Sequence, residues 1–144
     1  MSFVAIYGSK PSNGGGGVDK SGKSGIIDNS GKVSALGANK FKVGFTKKNL
    51  DDHFGGSHDH SKEYPGWTKK QYAKRAFDLI QSPADGKNIL GYRIGASTVV
   101  RYDIRTNDYV KGSPETGIST MFKPKKGSRY FHDRKKIEGG EVND

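Results

Sequence analysis

The hydrophobic period of this chain changes once, and that change limits the folds open to it. From Thr68 to Gln81, Tyr72, Ala73, Ala76, Phe77 and Ile80 recur at helical spacing, while Lys69, Lys70, Lys74 and Arg75 lie off the stripe. Ser82-Pro83 ends that pattern. The period then becomes two. Ile89 to Ile94, Thr98 to Ile104, a run opening at Tyr109-Val110, and Ile118 to Phe122 each read as short strands. Arg105-Thr106-Asn107-Asp108 and Gly112 to Gly117 supply the turns. A helix followed by a run of antiparallel strands is the α+β pattern. The expected fold is N-terminal helices packed on a twisted antiparallel sheet of about four strands.

Upstream of the main helix, Thr46 caps a helix over residues 47–54, with Leu50 and Phe54 four apart on one face. Gly55-Gly56 ends it, and Tyr64-Pro65-Gly66 makes a turn before the Thr68 cap. Phe41 to Phe45 alternates apolar and polar residues, as a short strand does. Residues 1–40 are different. They contain Gly14-Gly15-Gly16-Gly17 and much Ser and Lys, and read as a flexible linker. Phe3 to Tyr7 and Gly25-Ile26-Ile27 are apolar islands, either of which could add an edge strand. The glycine run lacks the Gly-Lys-Ser/Thr ending of a phosphate loop. Residues 41–136 form the expected folded unit, and residues 137–144 a charged tail that frays.

Composition narrows the chemistry. The chain has 144 residues, enough for one domain, and only 31% are apolar, so the core is modest. The net charge is +10, which attracts polyanions. Cysteine is absent, which removes disulfides, thiol nucleophiles and cysteine-ligated zinc. No apolar run approaches the ~20 residues of a membrane span, so no stable membrane insertion is expected. Ser2 to Tyr7 is too short for a secretory signal core.

Four histidines are present, and His53, His58 and His60 fall within eight positions. The fourth is His132. A zinc site built from His58, His60 and His53 or Asp52 is one reading, but the spacing matches neither HExxH nor a finger. Simple surface polarity is a second. Acid–base catalysis is a third, because imidazole exchanges protons near neutral pH. Cleaving RNA without a metal or other cofactor needs a base for the 2′-OH, an acid for the leaving oxygen, and donors at the phosphate. Alternation sets Val99, Arg101 and Asp103 on one strand face, which would aim Arg101 from the open face into a cleft. Thr120 follows Ile118 by two and is expected to point the same way. Lys123, Lys125, Lys126, Arg129, Arg134, Lys135 and Lys136, with Tyr130 and Phe131 interleaved, suit phosphates and unpaired bases. Pro124 and Gly127 speak against an amphipathic helix in that segment.

The order of these motifs is Leu50-Asp51-Asp52-His53-Phe54, His58, Tyr64, then Thr68, Tyr72, Ala76 and Phe77. Arg101-Tyr102-Asp103, Thr106-Asn107-Asp108-Tyr109, Gly117 to Pro124 and Tyr130 follow. Over residues 45–131 it resembles the superfamily of barnase, EndoU, tRNA-cutting colicins and RelE. The similarity is greatest to C-terminal toxin domains of contact-dependent growth inhibition proteins and other polymorphic toxins. The resemblance implies a small α+β ribonuclease that attacks through the 2′-OH and leaves a 2′,3′-cyclic phosphate without a metal. It implies RNA, tRNA foremost, as substrate, and an acidic immunity protein as partner. It implies secretion or delivery by a larger toxin protein and action in the cytoplasm of a target cell. His53 maps onto the family's helix histidine and His58 onto its second histidine. Because the Gly55-Gly56 interval is looser than a continuous helix, His60 is the alternative for that second role. Thr120 maps onto the strand hydroxyl and Tyr130 onto the closing aromatic. With Arg101 these are the candidate catalytic residues, and Lys123, Lys125, Lys126 and Arg129 the candidate substrate-binding residues. A non-catalytic nucleic-acid-binding module and a metal-dependent DNase built on the histidines are the competing readings.

Overall fold

The computed structural model describes residues 37–138. The two apolar islands and nearly all of the expected linker lie outside the described residues, as does most of the tail. Helix α1 (Lys47–His53) leads through a single 3-10 turn (Ser61–Glu63) to α2 (Lys69–Gln81). Strands β1 (Ile89–Ile94), β2 (Thr98–Asp103), β3 (Asp108–Ser113) and β4 (Gly117–Phe122) follow, and α3 (Ser128–Glu138) ends the unit. The strands pair antiparallel in the order β1-β2-β3-β4, so the protein is α+β.

Local chemistry places the elements. The Thr46 hydroxyl accepts the Asn49 amide at the start of α1. Thr68 and Gln71 form a reciprocal capping box at the start of α2. The apolar stripe of α2, joined by Leu79, is buried against the sheet. Around it gather Phe45, Leu50, Val99, Val110, Ile118 and Met121. The opposite sheet face carries a second cluster of Tyr92, Val100, Tyr102 and Tyr109, capped by Phe131 of α3. Burying each large side chain of this kind contributes roughly 1.5–3 kcal/mol.

Three expectations are corrected. Lys123 to Lys136 does carry a helix: Pro124 and Gly127 precede α3 rather than interrupt it, and Gly127, at φ +61°, turns the chain into its first residue. The sheet is therefore covered on both faces. Phe41 to Phe45 is no strand, because it makes single backbone bonds instead of a ladder. Lys42 N–H donates to Pro114 O, and Gly44 O accepts from Ile118 N–H. Finally, Gly37, Ala38, Asn39 and Lys40 belong to the body rather than to a linker. Asn39 is buried and its N–H donates to Gln81 O, at the end of α2.

Among the described residues no helix is long and apolar enough to cross a membrane.

Candidate active site

His53 ends α1, and its Nδ1 sits 3.0 Å from Asn49 O. A carbonyl only accepts, so Nδ1 carries the proton of the neutral ring. The chain then reverses. Gly55 adopts φ +101°, and a Cβ on Gly56 would stand 2.4 Å from Asp51 O, so both positions need glycine. The Asp59 carboxylate accepts from Gly55 N–H and Ser61 N–H, closing the loop. His58 N–H donates to Asp52 O and His60 N–H to His53 O.

This reversal stacks the three imidazoles. The His53 ring lies 5.7 Å from His58 and 5.8 Å from His60, nearly parallel to both. The column continues from His60 onto Phe122 of β4, at 5.3 Å. The Gly55-Gly56 interval that loosens the sequence pattern is thus the hinge that brings both later histidines beside the first. All three histidines share the site. His58 is the open end, 71% exposed, against 24% for His60 and 14% for His53.

Each imidazole is oriented through Nδ1. His58 meets Asp52 Oδ2 at 2.9 Å, and His60 meets Glu63 Oε2 at 2.9 Å. Hydrogen bonds from Ser57 and His58 pull the Asp52 carboxyl down to about 2, so it stays anionic at neutral pH. Among the described residues no hydrogen bond occupies Nε2 of any of the three. Three proton-exchanging atoms are therefore left for a ligand. Asp52 and Glu63 were missed as orienting groups. The signals were present, as the Asp52-His53 pair and the i,i+3 spacing of His60 and Glu63.

Thr120 does not point as Ile118 does. A bulge in the pairing of β4 with β3 sets Gly112 opposite Ile118 and Lys111 opposite Thr120, leaving Ser119 as the extra residue. Ile118 and Met121 consequently share the α2 face, and Thr120 joins Phe122 on the α3 face. That is the face on which His60 stacks. Tyr130 of α3 packs edge-on against Phe122 at 5.4 Å and Tyr109 at 5.0 Å. Burial raises the pKa of its hydroxyl, which stays protonated. Lys111, beside Thr120 in register, donates to Glu138 at 2.9 Å, and Arg134 donates to the same carboxylate oxygen at 2.5 Å. Two cations on one carboxylate leave local positive charge along this edge.

Arg101 is not in the cleft. Alternation set its face correctly, but α2 and the segment from Gly37 cover that face, and Arg101 is fully buried. Its guanidinium donates to Ser82 O at 2.8 Å, Val100 O at 2.9 Å and Gly37 O at 3.0 Å. Lys123 is also engaged inward. Its Nζ donates to the buried Asp108 at 2.9 Å and to Thr106 O at 2.8 Å, and lies over the Tyr64 ring. Asp108 further accepts from Tyr64, Thr106 and Arg75. Asn107, at φ +63°, donates to Pro124 O. The motif residues of the β2–β3 turn thus lock the end of β4 in place. Lys125, Lys126 and Arg129 are exposed, with no side-chain ion pair to another described residue.

Among the described residues no group of three or more His, Asp or Glu side chains is set to hold a metal ion. Ring centroids nearly 6 Å apart in a parallel column stack rather than converge on one point. An open depression of about 390 Å³ lies elsewhere, lined by Trp67, Gln71, Lys74, Arg75 and Asp78, and holds no histidine.

No protein-family model and no curated protein matches the chain.

Proposed function

We propose that this protein is a metal-independent endoribonuclease of the toxin type. It cleaves RNA by attack of the 2′-OH on the adjacent phosphate, releasing the 5′-oxygen and leaving a 2′,3′-cyclic phosphate. The observation that carries this reading is the column of three imidazoles running onto Phe122, with Tyr130 edge-on to Phe122 and Thr120 two residues before it on the same face of β4. One imidazole Nε2 takes the 2′-OH proton and another protonates the leaving oxygen. The Thr120 hydroxyl donates to the phosphate, where charge develops. Tyr130 stacks on or orients the nucleotide. Lys125, Lys126 and Arg129 hold flanking phosphates. Arg101 and Lys123 serve the scaffold instead. The motif resemblance adds tRNA as the target, an acidic immunity protein as partner, and delivery by a larger toxin into the cytoplasm of a target cell.

The test is incubation of tRNA and total RNA with the protein in EDTA. Cleavage to 2′,3′-cyclic ends is expected, and His53→Gln should slow it by at least about 100-fold, the lower range for a lost acid or base. The circular dichroism spectrum should be unchanged. RNA left intact by micromolar protein would overturn the reading. The exposed Lys125, Lys126 and Arg129 also suit a non-catalytic binder, which would give salt-sensitive binding without product.

A further inference from the structure

Glu63 holds two groups at once. Its Oε2 faces His60 Nδ1 at 2.9 Å, and its Oε1 accepts the Lys123 backbone N–H at 2.7 Å. The residue follows His60 by three, at the end of the 3-10 turn, whereas Lys123 directly follows β4. The carboxylate thus ties the histidine loop to the strand that carries Thr120 and Phe122. It also dictates where the proton of the ring sits. Carboxylate oxygens only accept, so the neutral ring must present Nδ1–H to Glu63 and a lone pair at Nε2. His60 is simultaneously stacked between His53 and Phe122, which fixes the plane of the ring.

We propose that Glu63 is a positioning residue: it fixes the proton of His60 on Nδ1, so that Nε2 meets the RNA as a base. The catalytic consequence rests on the ribonuclease reading above, while the tautomer itself does not. His53 is fixed differently, by the Asn49 carbonyl, and His58 by Asp52. Asn49 also reaches the sheet, its Nδ2 donating to Ile118 O at 3.1 Å, but the carboxylate of Glu63 meets the ring and the end of β4 with its two oxygens at once.

The discriminating variant is Glu63→Gln. An amide offers one accepting oxygen and one donating nitrogen. The Lys123 N–H can only donate, so it keeps the oxygen, and the amide nitrogen is turned toward His60. The ring then accepts at Nδ1, and its proton moves to Nε2. Imidazole-nitrogen NMR, at a pH high enough for the ring to be neutral, reads the tautomer in the wild type and the variant. The expected result is Nδ1–H in the wild type and Nε2–H in Glu63→Gln, with thermal stability near that of the wild type. In the RNA assay kcat should fall about 100-fold with KM little changed, within the range of a misplaced general base. Nε2–H in the wild type, or no tautomer change in the variant, overturns the proposal whether or not RNA is cut. A changed tautomer with undiminished cleavage overturns the role of Glu63 in the reaction. A changed tautomer in a protein whose wild type cuts no RNA instead sinks the ribonuclease reading, with the tautomer assignment standing.

Discussion

Arg101 and Gly91 are partners across β1 and β2, and neither tolerates change in the other's neighbourhood. A Cβ on Gly91 would stand 2.4 Å from the Arg101 guanidinium, which three carbonyls hold in place. Removing Arg101 strands buried carbonyl oxygens, each costing about 1–3 kcal/mol. Arg101→Ala is therefore expected to destabilise the protein by about 2–4 kcal/mol in urea unfolding. Gly91→Ala should cost about 1–3 kcal/mol by overpacking. The double variant should cost clearly less than the sum, because the clash disappears with the side chain. Strict additivity would contradict the contact. Period-two reading found the face of Arg101 but not its fate. Alternation says which residues share a side, and only tertiary packing says what covers that side. The histidines show the opposite balance. Their clustering was visible in the chain, while their carboxylate partners became visible only once the Gly55-Gly56 reversal was folded.

Helix α3 is held to the sheet by few contacts. Phe131 is its one buried residue, and Glu138 anchors its far end through Tyr92 of β1 and Lys111 of β3, while Arg134 of the same helix pairs with the same carboxylate. Burial alone would raise the Glu138 pKa, but those three hydrogen-bonding partners outweigh it and bring it from 4.5 down to about 2. A folded-state value below the unfolded one adds stability above the ordinary glutamate range, and that stability fades as pH falls toward 2. Acid titration of unfolding should show wild-type stability declining between about pH 4.5 and 2. Glu138→Gln should start lower at neutral pH and decline less steeply over that window. Equal slopes would mean that the carboxylate is not the anchor. The same sparseness explains why α3 escaped the sequence reading: one buried aromatic makes no stripe. Helix α2 was legible because it buries six residues at helical spacing. The bulge at Ser119 was illegible for a different reason. One extra residue leaves the pattern of β4 intact on either side while exchanging its faces, so only the pairing with β3 could expose it.

Across the whole molecule, the charge of +10 is unevenly committed. Arg75, Lys111 and Lys123 neutralise buried or half-buried carboxylates, whereas Lys125, Lys126 and Arg129 face solvent at the end of β4 and the start of α3. On the ribonuclease reading proposed above, those three are the contacts to flanking phosphates. Changing all three to Gln should weaken single-stranded RNA binding and reduce the slope of log affinity against log salt by about 2, at roughly 0.7 per phosphate contact. The same change at Lys123 should act on folding more than on that slope. An unchanged slope in the triple variant would move the RNA track to another face.

The contact between Gly37 and Arg101 has a mechanical meaning. Tension applied to the chain at Gly37 meets the guanidinium in the second of four strands, then the Asn39–Gln81 bond, then the Lys42–Pro114 bond. These attachments are loaded in succession rather than together, so the body is expected to peel open from this end under modest force.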